Sequence, residues 1–404
     1  MTEKEEPEKR QEKKFEDFGV SAFFADRLFE RRIKIPTEIQ QLVIPRIFAG
    51  ENVLFRSATG TGKTFAYMLP FFQMLLGDAL PAAPKMLILA PTLELCGQIK
   101  QEADFLGSQV LRTSLLIGSA NMNRQIQSLR KEKPAVIIGN PARLLQLERL
   151  GKLNLNHVSG LVLDEGDRLI SDELFQDTQA LVNRVNRNRQ IALCSATMSD
   201  RSKERLLTLT GPAVIVETAA QEILRDYILH LALFAEPRQK ISALCSFLIA
   251  AKGDSLFLGK KKEGKILVFT NRKGQVGNIV SRLQYQGFAA AGISGAMDKQ
   301  GRKQSIDGFR AGRHQILVAS DLAARGLDIP GITCIVELDV SDDSESYIHR
   351  AGRTARAGNR GTMLTIGDAE ELRRFAVLEK KLGIIVYPKI LYQGRICDPK
   401  QFLF

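Results

Sequence analysis

The chain has 404 residues, 44% hydrophobic and 25% charged, with 57 Lys and Arg against 45 Asp and Glu and a formal net charge of +12. That length calls for more than one core, while no uninterrupted apolar run is long enough for a membrane span and the charged start MTEKEEPEKRQEKK lacks the apolar centre of a signal peptide. A cytoplasmic protein with a polyanionic partner is expected.

Residues 1–14 carry five acids and five bases that cancel, and read as a disordered charged tail. Short apolar runs then alternate with helical stretches: strands at 52–55, 86–90, 114–117, 135–138, 161–164 and 191–194, and helices at 65–76, 93–106 and 123–131. The pattern pauses near 217–225 and resumes, with strands at 266–270, 289–293, 316–320, 335–338 and 363–366 and helices at 275–286 and 302–310. This βα alternation predicts α/β domains built on parallel sheets, with function at the strand C-termini. The predicted division is a first domain over 15–218, a linker over 219–225, a second domain over 226–390 and a C-terminal tail over 391–404. Residues 252–265 read as an exposed basic loop. Five scattered cysteines without a C-x-x-C pair, and four dispersed histidines, suggest buried thiols in a reducing compartment and no structural metal.

The chemistry begins at SATGTGKT, which is Ser57, Ala58, Thr59, Gly60, Thr61, Gly62, Lys63 and Thr64. A glycine-rich turn between a strand and a helix leaves backbone N–H groups free for phosphate oxygens, with Lys63 offsetting their charge and Thr64 offering a hydroxyl to Mg²⁺. Asp164 and Glu165 close the apolar run LVLD, where one acid can hold the metal and its neighbour can activate the attacking water. Acids at a helix start also complement its dipole, but with Lys63 upstream the catalytic reading is preferred. In YIHRAGRTARAG, Arg350, Arg353 and Arg356 recur every three residues among small side chains, an arrangement suited to a γ-phosphoryl group. After the strand at 266–270 comes Asn271-Arg272, with no second phosphate loop, so one nucleotide site is expected for two domains.

These residues, in this order, resemble the DEAD-box RNA helicases, whose superfamily 2 core is two tandem RecA-like parallel-sheet domains with an inter-domain ATP and RNA cleft. The resemblance runs from about residue 15 past 366. It covers Ile35-Pro36-Thr37 and Gln40 (Q motif), 57–64 (motif I), 91–95 (motif Ia), 140–143 (motif Ib), 164–167 (motif II), 195–197 (motif III), 320–328 (motif V) and 349–356 (motif VI). It implies that Gln40 reads the adenine, that Gly326 and Asp328 approach the nucleotide, and that Asp167, Ser195, Thr197 and His349 couple hydrolysis to domain movement. It also implies RNA-backbone contacts at Pro91, Thr92, Gly118, Arg143, Arg302 and Ser320. A surface of hydroxyls, amides and a few arginines binds phosphates without reading bases, so low sequence specificity is expected.

Several positions depart from the family pattern: Gly166 in motif II, Ile33 where an aromatic would stack on adenine, Leu93, Asn140 and Ala142, and Ser119 after Gly118. Weakened basal affinity for nucleotide or RNA is the expectation. The reading is an ATP-dependent, magnesium-using RNA helicase, acting as a monomer on single-stranded RNA or a short duplex, targeted by protein partners and closing its domains when both ligands bind. Two alternatives stand beside it: an RNA clamp with little turnover, and a DNA helicase of the same superfamily.

Overall fold

The computed structural model describes residues 13–57, 61–76, 83–107, 110–195, 197–218, 220–252, 264–272, 274–295, 297–324, 329–341, 343–355 and 359–399. The chain divides into two compact units at Thr218 and Ala219.

In the first unit, β1 (Val53–Arg56), β2 (Met86–Leu89), β3 (Thr113–Leu116), β4 (Val136–Gly139), β5 (Gly160–Asp164), β6 (Gln190–Ser195) and β7 (Val214–Glu217) lie in the order β3-β4-β2-β5-β6-β1-β7. Every adjacent pair is parallel. Strands with apolar residues at every position suit such a sheet, because alternate side chains feed two separate cores. Phe55, Ile88, Ile138 and Val162 enter one core, against the helix Lys63–Leu75, and Leu54, Leu87, Ile137 and Leu163 enter the other. Each such burial contributes about 1.5–3 kcal/mol over exposure.

The second unit contains β8 (Ile228–Phe234), β9 (Lys265–Phe269), β10 (Ala290–Ile293), β11 (Ile316–Ala319), β12 (Ile332–Glu337), β13 (Gly361–Gly367), β14 (Val386–Tyr392) and β15 (Arg395–Cys397), in the order β10-β11-β9-β12-β13-β8-β14-β15. All neighbours are parallel except β14 and β15. Counted from the first strand of each unit, both sheets run third, fourth, second, fifth, sixth, first, seventh, so the second unit repeats the wiring of the first and adds β15 at its edge.

Two expectations are corrected. The segment taken as a linker is the helix Ala220–Tyr227, whose Leu224 is buried in the second unit's core. The segment taken as a C-terminal tail enters the sheet as the end of β14 and the hairpin partner β15, with Leu391 and Ile396 packed on the core. All five cysteines are free thiols, four of them buried and Cys397 half-buried. Residues 1–12, and 253–263 of the basic loop, lie outside the described residues. Among the described residues no helix is long and apolar enough to cross a membrane.

Candidate nucleotide and RNA site

At the C-terminal end of the first sheet, the strands sort the candidate residues into two groups. After β1, β5 and β6 come residues expected at the nucleotide or in coupling its hydrolysis to movement; after β2, β3 and β4 come those expected at RNA. Parallel strands bring these loops to one edge.

Ser57 follows β1, with its N–H on the Ser195 carbonyl at 3.2 Å, and its buried hydroxyl accepts from Thr218 Oγ1 at 3.1 Å. Ala58, Thr59 and Gly60 lie outside the described residues. Gly62 has φ +85°, and a Cβ there would lie 2.4 Å from Gln40 Nε2, so only glycine fits. Lys63 opens the helix Lys63–Leu75 and donates to the Ser57 carbonyl at 2.9 Å; Thr64 follows, half-buried. Gln40 is buried, its Oε1 accepting the Thr37 N–H at 2.8 Å and its Nε2 donating to the Gly62 carbonyl at 3.0 Å. Thr37 and Gln40 therefore form a capping box for the helix Glu38–Phe48 while holding the phosphate loop. Ile33 is half-buried and packs on the core.

Asp164 ends β5, buried, accepting from Tyr67 Oη at 2.9 Å, from Cys194 Sγ at 2.9 Å and from the Glu165 N–H at 2.9 Å. Burial pushes its carboxyl above the usual range, opposed by the Cys194 hydrogen bond and the Lys63 charge. Glu165 adopts the left-handed region at φ 50°, ψ 54°. Its Oε2 is buried with no hydrogen-bond donor, and Arg168 Nε stands 3.7 Å away. Thr197 donates its hydroxyl to Asp167, and Ser195 Oγ bonds the Thr197 carbonyl at 2.5 Å, which ties motif III to motif II. Gly166 is buried, and an added Cβ would lie 3.3 Å from Leu206. A nucleotide-bound magnesium ion needs only one or two protein oxygens, with phosphates and water completing its shell, and Thr64 and Asp164 fit that donor set.

Thr92 caps the helix Leu93–Gly107, its Oγ1 accepting from Leu95 N, with Pro91 beside it. Gly118 is exposed. Arg143 is not: it is buried, and its guanidinium donates to the Gly118 carbonyl at 2.9 Å, the Ala120 carbonyl at 3.1 Å and Gln125 Oε1 at 3.0 Å. It braces the 118–120 loop and does not stand open to a phosphate.

In the second unit Arg302 donates to the Ala323 carbonyl at 3.0 Å, and Ser320 Oγ accepts from Ala323 N. His349 is half-buried on the helix Ser344–Ala351. Arg353 is buried; Arg356, Gly326 and Asp328 lie outside the described residues. Arg350 corrects the reading of three phosphate-facing arginines. Its buried guanidinium pairs with Glu337 at 2.7 Å and Asp321 at 2.5 Å and donates to the Asp339 carbonyl, so it fastens motif V to motif VI. Burial opposes its charge, but the two carboxylates raise its pKa.

The matched strand order also relocates the missing second phosphate loop. The counterpart of β1 is β8, not β9, and its loop is 235–239, AEPRQ. Lys240 starts the following helix as Lys63 does, but its Nζ is buried on Glu371 and the Leu338 carbonyl. Glu337 ends β12 as Asp164 ends β5, and is occupied by Arg350, Ser341 and Thr365.

The family models for the DEAD/DEAH box helicase and the helicase conserved C-terminal domain match residues 37–206 and 239–358. A DEAD-box ATP-dependent RNA helicase CshC of Bacillus cereus is 33% identical over 365 residues, 90% of either chain. The chain belongs to the DEAD-box ATP-dependent RNA helicases. Another relative, the ATP-dependent rRNA helicase RRP3 of Yarrowia lipolytica, is 33% identical over 92% of this chain and 75% of its own. Among solved structures, S. cerevisiae Dbp5 bound to RNA and ADP BeF3 superposes with a TM-score of 0.82 at 25% identity, covering 93% of this chain and 96% of that one. Sequence reasoning on this DEAD-box chain missed Tyr67 and Cys194, which read as filler within apolar runs. It also missed Gln40 as a cap, although T-x-x-Q ahead of an apolar helix is a capping signal.

Proposed function

We propose that this helicase hydrolyses ATP when RNA is bound and uses the cycle to part short duplexes locally. The observation that carries the reading is the acid pair at the tip of β5: Asp164 held among donors with the Lys63 charge acting on it, and Glu165 beside it with one carboxylate oxygen free of donors. Lys63 and the loop 57–64 bind the phosphates, Gln40 favours adenine, and Glu165 orients and deprotonates the attacking water. Thr64 and Asp164 would hold magnesium, which when bound neutralises phosphate charge. Arg353 and Arg356 offset charge on the transferred phosphoryl group, while Ser195, Thr197, Asp167 and His349 link chemistry to movement. Thr92, Gly118, Arg302 and Ser320 touch the RNA backbone, with Arg143 acting through the loop it braces. The cytoplasm is the proposed location, and the proposed domains are 15–218 and a second that takes in the helix Ala220–Tyr227 and β15.

The test is ATP turnover with and without single-stranded RNA, for the wild type and Glu165→Gln. RNA should stimulate the wild type, and the variant should bind ATP while losing about 10²- to 10⁴-fold in rate. A negligible wild-type rate indifferent to RNA would favour the clamp, and full turnover by the variant would remove Glu165 from the mechanism.

A further inference from the structure

We propose that Tyr67 and Cys194 are positioning residues that fix the Asp164 carboxylate and leave it one acceptor direction, on Oδ2, for the water shell of the nucleotide's metal. The inference rests on the reading of Asp164 as the magnesium-holding acid.

A carboxylate offers about four lone-pair directions. Oδ1 of Asp164 takes the Glu165 N–H and the Cys194 thiol, both at 2.9 Å, and is full. Oδ2 takes the Tyr67 hydroxyl at 2.9 Å and has one direction left. Tyr67 and Cys194 are each 0% exposed and Asp164 only 4%, so water does not stand in for either donor. Bidentate approach of a cation to Asp164 is thereby closed, and a link through a single oxygen remains.

The two donors arrive from the elements that carry the rest of the chemistry. Tyr67 lies one helical turn beyond Lys63 on Lys63–Leu75, so the helix that presents the phosphate lysine and Thr64 is pinned to the strand end that presents Asp164. Cys194 stands opposite Asp164 in the β5–β6 register and immediately precedes Ser195. The distance between the two metal-facing oxygens, of Thr64 and Asp164, is thus set by a phenol, and the orientation of the carboxylate plane by a thiol. Outer-shell partners of this kind tune metal affinity without touching the ion.

The experiment titrates magnesium against binding of a fluorescent, non-hydrolysable ATP analogue to the full chain without RNA, with parallel binding in EDTA and thermal melts. Tyr67→Phe and Cys194→Ala should raise the half-saturating magnesium concentration about tenfold and leave the EDTA affinity within about twofold. Cys194→Ser, which keeps a donor, should stay close to wild type. A magnesium-dependent wild type matched by both deletion variants overturns the inference, whatever their melting temperatures. A wild type that ignores magnesium overturns the reading of Asp164 itself, a different result. If Tyr67→Phe does not fold, the contrast between Cys194→Ala and Cys194→Ser decides alone.

Discussion

Glu165 occupies a backbone region that an unbranched L-residue enters at a cost of about 1–2 kcal/mol. Its N–H on the Asp164 carboxylate and its carbonyl, accepting from Arg168 and Leu169, hold it there. Strain at a candidate catalytic position is a stability reserve given up for placement. Glu165→Asn, which suits left-handed backbone, should therefore raise the melting temperature while hydrolysis collapses; a lower melting temperature would show that the backbone is relaxed. At this scale the placement of Lys63 after a glycine turn and of Asp164 and Glu165 at a strand tip was legible, because the apolar runs on either side mark the strand and helix ends. The arginines were less so. Three-residue spacing suggests one helical face, but the helix ends at Ala351, both Arg350 and Arg353 are buried, and the carboxylates that claim Arg350, Asp321 and Glu337, come from other segments.

Among elements, the helix Ala220–Tyr227 and the helix Ser344–Ala351 are joined through one histidine. His230 on β8 meets the Leu224 carbonyl with Nε2 at 2.8 Å and Tyr347 Oη with Nδ1 at 2.6 Å. A carbonyl only accepts, so Nε2 carries the proton and Nδ1 accepts from the tyrosine in the neutral ring. Burial depresses the His230 pKa below its ordinary 6.5. The unfolded chain then binds the extra proton first as pH falls, so the stability tied to the neutral ring is complete above pH 6.5 and drains away as pH drops through that value towards the folded one. Melting temperatures taken between about pH 7 and about pH 5 should fall more steeply for the wild type than for His230→Gln; equal slopes would discard the histidine as the cause. The strands of the first sheet other than β7, and β9 to β13 of the second, were readable as apolar runs, whereas β8, central in its sheet, was not. Nor were β7, β14 and β15, at or next to a sheet edge, since half-exposed strands carry mixed residues, and the helix over 220–227 was hidden by its polar composition.

For the whole molecule, the two units have separate cores, and the nucleotide-binding candidates Gln40, Lys63 and Asp164 all belong to the first. Calorimetry should resolve two transitions. An ATP analogue with magnesium but no RNA should raise the first by about 2.7 kcal/mol at a hundred times its dissociation constant and leave the second in place. Equal shifts in both would mean that the nucleotide is not held by the first unit alone. The α/β class and the tandem arrangement followed from the alternation of runs. The shared strand order did not, because β8 and β14 had to be found before the two series could be aligned.

That alignment has a practical side. Where one half keeps a strand-end acid with an acceptor direction left beside a lysine held only by a carbonyl, its twin has tied the same pair into ion pairs with Glu371 and Arg350. A drug shaped to bridge such a pair would find a berth in the first unit, and the duplicate would refuse it without needing a different fold.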